Sequence, residues 1–274
     1  MTASATPRRL DRKHALVTGA SSGIGRAVAI RFAQEGAAVA INYIGSTHAA
    51  EETLELVRQA SPKSSREQAK HRIFNADVAD ELGVPAMFEN VVSHFGRLDI
   101  LVNNAGIQLE AASERHSIAD VRRVVEVNLM GSLICSQAAI RHFLSRPGGG
   151  VIVNCSSVHQ IIPKPGFIGY SLSKGGLANM TRTLALEYAD RGIRVNAVGP
   201  GAIVTPLNKT WIDDPQTRKA VEAHIPMGRA GYAEEIAAVF ALLASEEASY
   251  ITGQTIFACG GLTLFADFKE NWAS

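Results

Sequence analysis

The chain has 274 residues, of which 46% are hydrophobic and 6% aromatic. Its 27 Lys and Arg residues nearly balance its 26 Asp and Glu residues, which excludes the basic field that attracts nucleic acid or an anionic membrane. Polar residues interrupt every long apolar stretch before about 18 positions, so we expect no membrane span.

Short apolar runs alternate with longer mixed segments along the whole chain. Apolar runs without polar alternation are typical of strands that are buried on both faces. The predicted strands are His14–Thr18, Ala38–Tyr43, Arg72–Ala76, Leu98–Asn103, Val151–Cys155, Ile193–Val198 and Gln254–Phe257. The predicted helices are Gly23–Glu35, Ala49–Ala60, Val84–Phe95, Ile118–Phe143, Tyr170–Ala189 and Ala233–Ala244. This β-then-α alternation predicts one α/β domain over residues 1–274, with a doubly wound parallel sheet.

Three segments are expected to lie outside the compact core. Residues 1–12 contain Arg8 and Arg9 without a following apolar run, which predicts a flexible N-terminal segment and no signal peptide. Ser61–Lys70 is polar without an apolar period, which indicates a surface loop. Residues 204–230, which contain a tryptophan and several prolines, are predicted to form a lid over a ligand pocket.

Cysteine and histidine usage bears on location and on metal binding. Cys135, Cys155 and Cys259 form no Cys-x-x-Cys pair, and their odd number indicates free thiols in a reducing, cytoplasmic setting. The eight histidines are scattered and form no ligand motif, so we expect no metal site.

The first predicted strand runs directly into a glycine-rich turn, Gly19-Ala-Ser21-Ser22-Gly23-Ile24-Gly25, and a helical pattern follows. Glycine permits a positive φ and a close approach of the backbone to a pyrophosphate. The helix start then offers unpaired N–H groups and the positive end of the helix dipole. This context favours a dinucleotide site, and a tight strand-to-helix turn without a ligand is the alternative.

The end of the second predicted strand bears on the form of such a dinucleotide. A carboxylate at this point favours NAD, and a cation or small polar donors favour the 2′-phosphate of NADP. The chain has neither an acid nor an arginine in Tyr43-Ile44-Gly-Ser46-Thr47. Tyr43 and Ser46 are candidate contacts, a solvated loop is the alternative, and NAD and NADP both stay open.

Tyr170 and Lys174 are one helical turn apart and therefore share a helix face. A tyrosine is a useful base only when a cation stabilises its phenolate, and we expect Lys174 and an oxidised nicotinamide ring to lower its pKa. Ser157 follows a predicted strand at the sheet edge where open α/β sheets bind ligands. There its hydroxyl can hold a substrate oxygen while the tyrosine moves a proton. An ordinary surface Tyr–Lys pair is the alternative.

Two further polar groups are expected near this edge. Asn103-Asn104-Ala105-Gly106 follows the fourth predicted strand, and its small residues leave room for a flat cofactor. Asn128 interrupts an apolar helical run. It is either a tolerated polar position or a group that holds a water where the helical hydrogen bonds are disturbed.

Together these motifs resemble the short-chain dehydrogenase/reductase family over nearly the whole chain. They are Thr18–Gly25, Asn103–Gly106, Asn128, Ser157, Tyr170-x-x-x-Lys174 and Pro200–Thr205. The resemblance implies a Rossmann-like sheet of seven parallel strands in a single domain, with NAD or NADP as cofactor. It implies that Tyr170 is the acid/base, that Lys174 also binds the nicotinamide ribose, that Ser157 orients the substrate and that Asn128 supports a proton-relay water. The cofactor contacts that it implies are the turn from Gly19 to Gly25, Asp77, Val78, Asn104, Ala105, Gly106, Tyr170, Lys174, Pro200, Gly201, Ile203 and Thr205.

Within that family the chain is similar to the bacterial glucose 1-dehydrogenases. The segments that carry this similarity are Ser156–Pro163, Ser173–Gly176, Leu184–Tyr188, Ile225–Gly228, Ala248–Gly253 and Leu262–Phe265. It implies a sugar- or polyol-like alcohol or carbonyl as substrate, bound by Gln108, Ser157, His159 and Tyr170.

His159 is expected to donate to a sugar hydroxyl, and a loop histidine satisfied by backbone is the alternative. The chain departs from the subgroup at three positions, where Gln108 replaces Glu, Ile44 replaces Arg and Cys259 replaces Asp.

Two other functions remain compatible with the sequence. A reductase of 3-oxoacyl thioesters or of other carbonyls would use the same four residues, and a non-catalytic dinucleotide sensor could have the same fold. The expected partners are a small-molecule substrate and three further copies of the chain. The homotetramer is expected because small residues recur on helices Ile118–Phe143 and Tyr170–Ala189, through which members of the family commonly pair.

Overall fold

The computed structural model describes residues 8–62 and 70–264. Within these ranges, seven strands form one parallel sheet in the order β3-β2-β1-β4-β5-β6-β9. They are β1 (His14–Val17), β2 (Ala38–Tyr43), β3 (Arg72–Asn75), β4 (Ile100–Asn103), β5 (Gly150–Cys155), β6 (Ile193–Pro200) and β9 (Thr255–Ala258). A separate parallel pair joins β7 (Ile203–Val204) to β8 (Gly231–Tyr232). The prediction of a seven-stranded, doubly wound parallel sheet is confirmed.

Helices cover both faces of this sheet. They are α1 (Gly23–Gln34), α2 (Thr47–Ala60), α3 (Gly83–Phe95), α4 (Ile118–Val125), α5 (Gly131–Leu144), α6 (Ile168–Tyr188), α7 (Lys209–Ile212), α8 (Pro215–Ala223) and α9 (Ala233–Ala244). One apolar core lies between the sheet and α1, α2 and α9, and the other lies between the sheet and α3, α5 and α6. In the described ranges no helix combines the length and apolarity needed to cross a bilayer.

The sheet register brings the carboxyl ends of the strands to one edge. Leu16 of β1 is paired with Ala40 of β2 on one side and with Leu101 of β4 on the other. The strand order reverses between β1 and β4, so the connections after these two strands leave the sheet in opposite directions. A crevice opens at such a switch point, which is where α/β proteins of this type bind ligands.

Two predicted boundaries differ from the structure. The predicted helix Ile118–Phe143 is interrupted by a π-helical turn at Glu126–Met130, between α4 and α5. Residues 204–230 contain the short helices α7 and α8, which the sequence pattern did not indicate. Elements this short have little intrinsic stability, so tertiary contacts decide whether they form.

Part of the predicted flexible segment 1–12 packs against the core. Leu10 is fully buried, and the Arg9 guanidinium binds the carboxylate of Glu35 with N–O distances of 2.6 and 2.7 Å. The expectation is therefore wrong for residues 8–12, because an apolar side chain and an ion pair anchor them; residues 1–7 lie outside the described ranges.

The predicted surface loop Ser61–Lys70 is also corrected at its start. Ser61 is buried, and its hydroxyl oxygen lies 2.8 Å from Nε2 of His71. This contact joins Ser61 to His71, the residue directly before β3. Residues 63–69 lie outside the described ranges.

We expect Glu35→Ala to lower the free energy of unfolding by about 3 kcal/mol, because it removes the carboxylate that two partly buried guanidinium groups share. The Glu35 carboxylate is fully buried and binds both Arg9 and, at 2.6 Å, Nε of Arg31. Thermal and urea unfolding would measure the change, with the exposed Glu51→Ala as the control. Equal stability of the two variants would show that the N-terminal anchor adds nothing to the fold.

Candidate active site

A cavity of about 1040 Å³ opens at the carboxyl edge of the sheet, at the switch point between β1 and β4. The turn after β1 forms one wall and the ends of β4, β5 and β6 form the floor. Residues 204–230 contribute the opposite wall through Leu207, Asn208, Trp211, Val221, His224 and Ile225. The expected phosphate turn and the expected catalytic side chains thus border one continuous space.

The glycine-rich turn has the geometry that a pyrophosphate site requires. Gly19 and Gly23 have φ angles of +60° and +56°, which non-glycine residues rarely adopt. A Cβ on Gly19 would lie 2.8 Å from the Cα of Ala105, so only glycine allows the turn to approach the loop after β4. Ser22 caps α1 without a side-chain hydrogen bond, which leaves the first N–H groups of α1 available to an anion.

Most of the residues predicted in the glycine-rich turn line the cavity, and one of them packs against the strand ends instead. Gly19, Ser21, Ser22, Gly23 and Ile24 line the cavity. Gly25 does not, because it lies where a Cβ would come within 2.4 Å of Nδ2 of Asn104. Its role in the structure is close packing of α1 against the strand ends.

The end of β2 corrects two predicted cofactor contacts. Tyr43 is buried, with its hydroxyl 3.1 Å from Oγ1 of Thr47, and Ser46 caps α2 by accepting from the amide of Ala49. Neither lines the cavity, whereas Asn42 and Ile44 do. The reason is the two-residue period of a strand: the neighbours of Tyr43 point to the cavity, and Tyr43 points away from it.

Asp77 and Val78 line the cavity beyond β3, as predicted. The Asp77 carboxylate accepts hydrogen bonds from the amide of Ala79 and from Arg123, at 2.9 and 3.1 Å. Burial alone would raise the pKa of Asp77, but these hydrogen bonds outweigh it and hold the pKa below its ordinary value. Asp77 is therefore an ionised acceptor, and Arg123, which also lines the cavity, neutralises it.

The loop after β4 forms the middle of the cavity wall, through Asn104, Ala105 and Gly106. The Asn104 amide donates to the carbonyl oxygens of Thr18 and Gly19, at 2.9 and 3.1 Å. Asn104 therefore joins the ends of β1 and β4. Across the cavity, the predicted contacts after β6 also line it, namely Pro200, Gly201, Ile203 and Thr205.

Ser157, Tyr170 and Lys174 meet at one end of the cavity. Ser157 follows β5, and its hydroxyl lies close enough to the Tyr170 phenol to lower the pKa of that phenol. The buried Lys174 ammonium donates to the carbonyl oxygen of Cys155 at 2.7 Å. Its Nζ lies 5.4 Å from the centre of the Tyr170 ring. The structure thus brings the three side chains together, as the sequence predicts.

The protonation of this group differs from the expectation. Burial raises the pKa of Tyr170 to about 12, and the hydrogen bond with Ser157 offsets only part of that effect. Burial also lowers the pKa of Lys174. Lys174 directs its ammonium to Cys155 rather than to the phenol, so the residues of the chain alone do not lower the pKa of Tyr170.

Asn128 lies in the π-helical turn and does not line the cavity. Its buried side-chain oxygen accepts from the amide of Ile107 at 2.8 Å, and its Nδ2 donates to the carbonyl of Ile107 and to Oγ of Ser173. The disturbed helix is present, as the sequence allowed. In the structure the amide holds Ile107, a cavity residue, and joins it to the helix that carries Tyr170; the proton-relay role stays a prediction.

The expected substrate residues Gln108 and His159 both line the cavity. Nε2 of Gln108 donates to the carbonyl oxygen of Leu207 at 3.2 Å. Nδ1 of His159 lies 3.0 Å from the carbonyl oxygen of Ile162, and burial lowers the pKa of the imidazole. A neutral ring that donates from Nδ1 presents Nε2 as an acceptor. This backbone contact is the alternative considered for His159, and its donation to a sugar hydroxyl stays a prediction.

Several cavity residues were not predicted from the sequence. They include Asn42, Ile107, Arg123, Ile162 and Lys164. Lys164 could have been found, because it lies between two predicted site residues in the chain. Arg123 could not, since it reaches the cavity only through helix packing. Leu207, Asn208, Trp211, His224 and Ile225 belong to the segment that the sequence predicts to cover the pocket. Among the described residues, no group of three or more metal-binding side chains is present.

The chain is similar in sequence and in structure to known proteins. Residues 19–263 match a family model described as enoyl-(acyl carrier protein) reductase. The chain is 50% identical to a glucose 1-dehydrogenase of Gluconobacter oxydans, over 97% of each chain. It is 47% identical to 3beta-hydroxysteroid dehydrogenase 1 of Eggerthella lenta, over 95% of this chain and 97% of the relative. The solved structure of a Burkholderia cenocepacia gluconate 5-dehydrogenase, with NADP and tartrate, matches at a TM-score of 0.86 and 33% identity, covering 94% of this chain and 98% of that one.

We expect Asn128→Ala to lower the free energy of unfolding by about 3 kcal/mol, because both backbone polar groups of Ile107 lose their buried partner. Thermal unfolding would measure the loss, with Asn90→Ala on the exposed surface of α3 as the control. An unchanged melting temperature would contradict a role for Asn128 in holding Ile107.

Proposed function

This chain belongs to the short-chain dehydrogenase/reductase family, and we propose that it interconverts a sugar- or polyol-like alcohol and its carbonyl with NAD or NADP. The observation that carries the proposal is the placement of Ser157, Tyr170 and Lys174 in the same cavity as the glycine-rich turn. One end of that cavity suits a pyrophosphate and the other suits a substrate oxygen. Its similarity to the glucose 1-dehydrogenase supports a sugar-like substrate.

The residues present fit a nicotinamide dinucleotide. Gly19 leaves space that a Cβ would fill, and the start of α1 offers unpaired N–H groups. Asp77 is an ionised acceptor at the adenosine end, and Lys174 is a buried cation for the nicotinamide ribose. When bound, the cofactor supplies or accepts a hydride at its nicotinamide ring.

The chain itself would handle the substrate oxygen and its proton. Ser157 holds the oxygen, and Tyr170 gives its phenolic proton to a carbonyl or takes one from an alcohol. Both side chains line the cavity, and the Ser157 hydroxyl is close enough to the phenol to lower its pKa. Because Ser157 is buried and Tyr170 lies on α6, the two groups are positioned before a substrate binds.

A second candidate is a reductase of bulkier carbonyls, including 3-oxoacyl thioesters. Its support is the apolar part of the cavity wall, contributed by Ile107, Ile162, Leu207, Trp211 and Ile225. A non-catalytic dinucleotide sensor is less well supported, because it has no use for a cavity-lining Tyr170 beside the buried Lys174. Assays with sugars, polyols, steroids and 3-oxoacyl thioesters, each with both cofactors, would separate these candidates.

Tyr170→Phe should reduce turnover by at least a thousandfold and leave dinucleotide binding intact, because only the phenolic proton is lost. In the wild type, burial raises the pKa of Tyr170, so alcohol oxidation, which needs the phenolate, should speed up as the pH rises. Carbonyl reduction, which needs the protonated phenol, should slow over the same range. Steady-state rates and cofactor titrations would test this; a variant with a tenth of wild-type turnover would contradict the assignment.

Cofactor choice should be weak, because no carboxylate and no arginine lie at the end of β2. Ile44 is exposed and lines the cavity there. We expect kcat/KM values for NAD and NADP within about a hundredfold, since one charge-assisted hydrogen bond contributes ~1.5–3 kcal/mol. Ile44→Arg should shift the ratio at least about tenfold toward NADP, and Ile44→Asp should shift it toward NAD. A wild-type preference above a thousandfold would contradict this prediction.

Residues 204–230 are proposed to act as a lid. The pairing of β7 with β8 joins the two ends of this segment, so α7 and α8 can move as one flap on a fixed base. The three cysteines are unpaired, which supports the proposed cytoplasmic location.

The proposed homotetramer would assemble through α5 and α6. Leu172 and Leu186 of α6 are 55% and 87% exposed, and a Cβ on Gly175 would meet no atom within 4 Å. These residues lie on one stripe of the helix, which provides an apolar face for a symmetric contact.

Leu186→Arg should dissociate the tetramer, because it places a cation in that contact. Sedimentation velocity at micromolar concentration would measure the assembly. Leu82→Arg, an equally exposed leucine at the start of α3, is the matched control and should leave the tetramer intact. A monomeric wild type would rule out the assembly.

A further inference from the structure

The substrate end of the cavity contains a cation that the proposed reaction does not use. Lys164 lies between Ser157 and Tyr170 in the chain and lines the same cavity. Its side chain is half-buried, with Nζ 3.5 Å from the centre of the Phe167 ring. Among the described residues, no carboxylate lies within ion-pairing distance of Lys164 and no acceptor bonds with its ammonium. A half-buried ammonium without an acceptor is costly unless a ligand or water completes it.

The charges around Lys164 favour an anion in this end of the cavity. Asp77 is the only carboxylate of the described residues that lines the cavity, and its pairing with Arg123 neutralises it. Glu110 attracts Lys164 electrostatically, but it is exposed and does not line the cavity. The remaining ionisable groups at the substrate end are basic or neutral: Lys174, Tyr170 and the imidazoles of His159 and His224.

Gln108 adds no negative charge to this end of the cavity. It lines the cavity as a neutral amide and donates to the carbonyl of Leu207. A glutamate at this position would place a carboxylate in the same space and would compete with an anionic substrate for Lys164. The neutral side chain leaves the positive charge of Lys164 available to a ligand.

We propose that the substrate carries a carboxylate, and that Lys164 binds it while Ser157 and Tyr170 hold the reacting hydroxyl or carbonyl. The substrate class is therefore a sugar acid or another polyhydroxy acid. This inference rests on the proposed function, because it names the substrate class of the same site. In the oxidative direction, the carbinol carbon passes a hydride to NAD(P)⁺ and its hydroxyl proton leaves through Tyr170, which yields a keto acid, NAD(P)H and a proton.

The test compares D-gluconate with D-glucitol, which differ only in a carboxylate against a hydroxymethyl group at C1. Both are assayed by steady-state kinetics with NAD and NADP, and by calorimetric binding to the enzyme–NADH and enzyme–NADPH complexes. Lys164→Met keeps the chain length and the stacking on Phe167, Lys164→Arg keeps the charge, and Lys209→Met removes an exposed lid cation that does not line the cavity.

The wild type should favour gluconate by at least tenfold in kcat/KM. Lys164→Met should lower gluconate binding and kcat/KM ten- to a hundredfold, because a charge-assisted hydrogen bond is lost. Its effect on glucitol should stay within about twofold, with an unchanged melting temperature. Lys164→Arg should keep most of the gluconate preference, and Lys209→Met should keep all of it.

Equal binding of gluconate and glucitol, or equal losses for both ligands in Lys164→Met, would overturn the inference. Loss of both ligands together with a lower melting temperature would assign Lys164 a structural role through Phe167. If the wild type turned over neither compound but bound gluconate in a Lys164-dependent way, the proposed reaction would fail and the carboxylate site would stand.

Discussion

The site depends on the close approach of two backbone segments at the switch point of the sheet. Gly19 and Ala105 leave β1 and β4 in opposite directions, yet a Cβ on Gly19 would come within 2.8 Å of the Cα of Ala105. Asn104 fixes this approach by donating to the carbonyls of Thr18 and Gly19. The width of the crevice, and hence its fit to a flat dinucleotide, follows from the absence of one side chain at Gly19.

Buried hydrogen bonds connect the sheet to the helix that carries Tyr170 and Lys174. Asn103 of β4 donates to Oδ1 of Asn154 in β5, and Asn154 donates to Thr181 of α6, each at 2.9 Å. Lys174 of the same helix donates to the carbonyl of Cys155. Hydrogen bonds at Asn154 and at Cys155 thus hold α6 against β5, the strand that precedes Ser157. Through these buried hydrogen bonds the sheet holds α6, and with it Tyr170, near Ser157.

Burial and neighbouring charges have opposite effects on the pKa values of side chains in this site. The environment around Tyr170 raises its pKa, so the phenol stays protonated unless positive charge is brought beside it. At Lys164, burial likewise lowers the pKa of the ammonium, while Glu110 opposes that effect. Low local polarity therefore makes each ionisable side chain sensitive to the charge of what binds beside it.

The sequence by itself determined the sheet and the glycine-rich turn, and it predicted that Tyr170 and Lys174 share a helix face near Ser157. Buried parallel strands have continuous apolar runs, and glycines such as Gly19 and Gly23 occupy positions with a positive φ. The four-residue spacing of Tyr170 and Lys174 puts both on one helix face. Each of these signals is a local property of the chain. Only the tertiary structure decided that Tyr43 points away from the cavity, that the Asn128 amide holds Ile107, that His159 presents an acceptor and that Lys164 enters the substrate end. Each of these depends on a partner distant in sequence or on the path of a loop, and neither composition nor periodicity specifies which atoms packing will bring together.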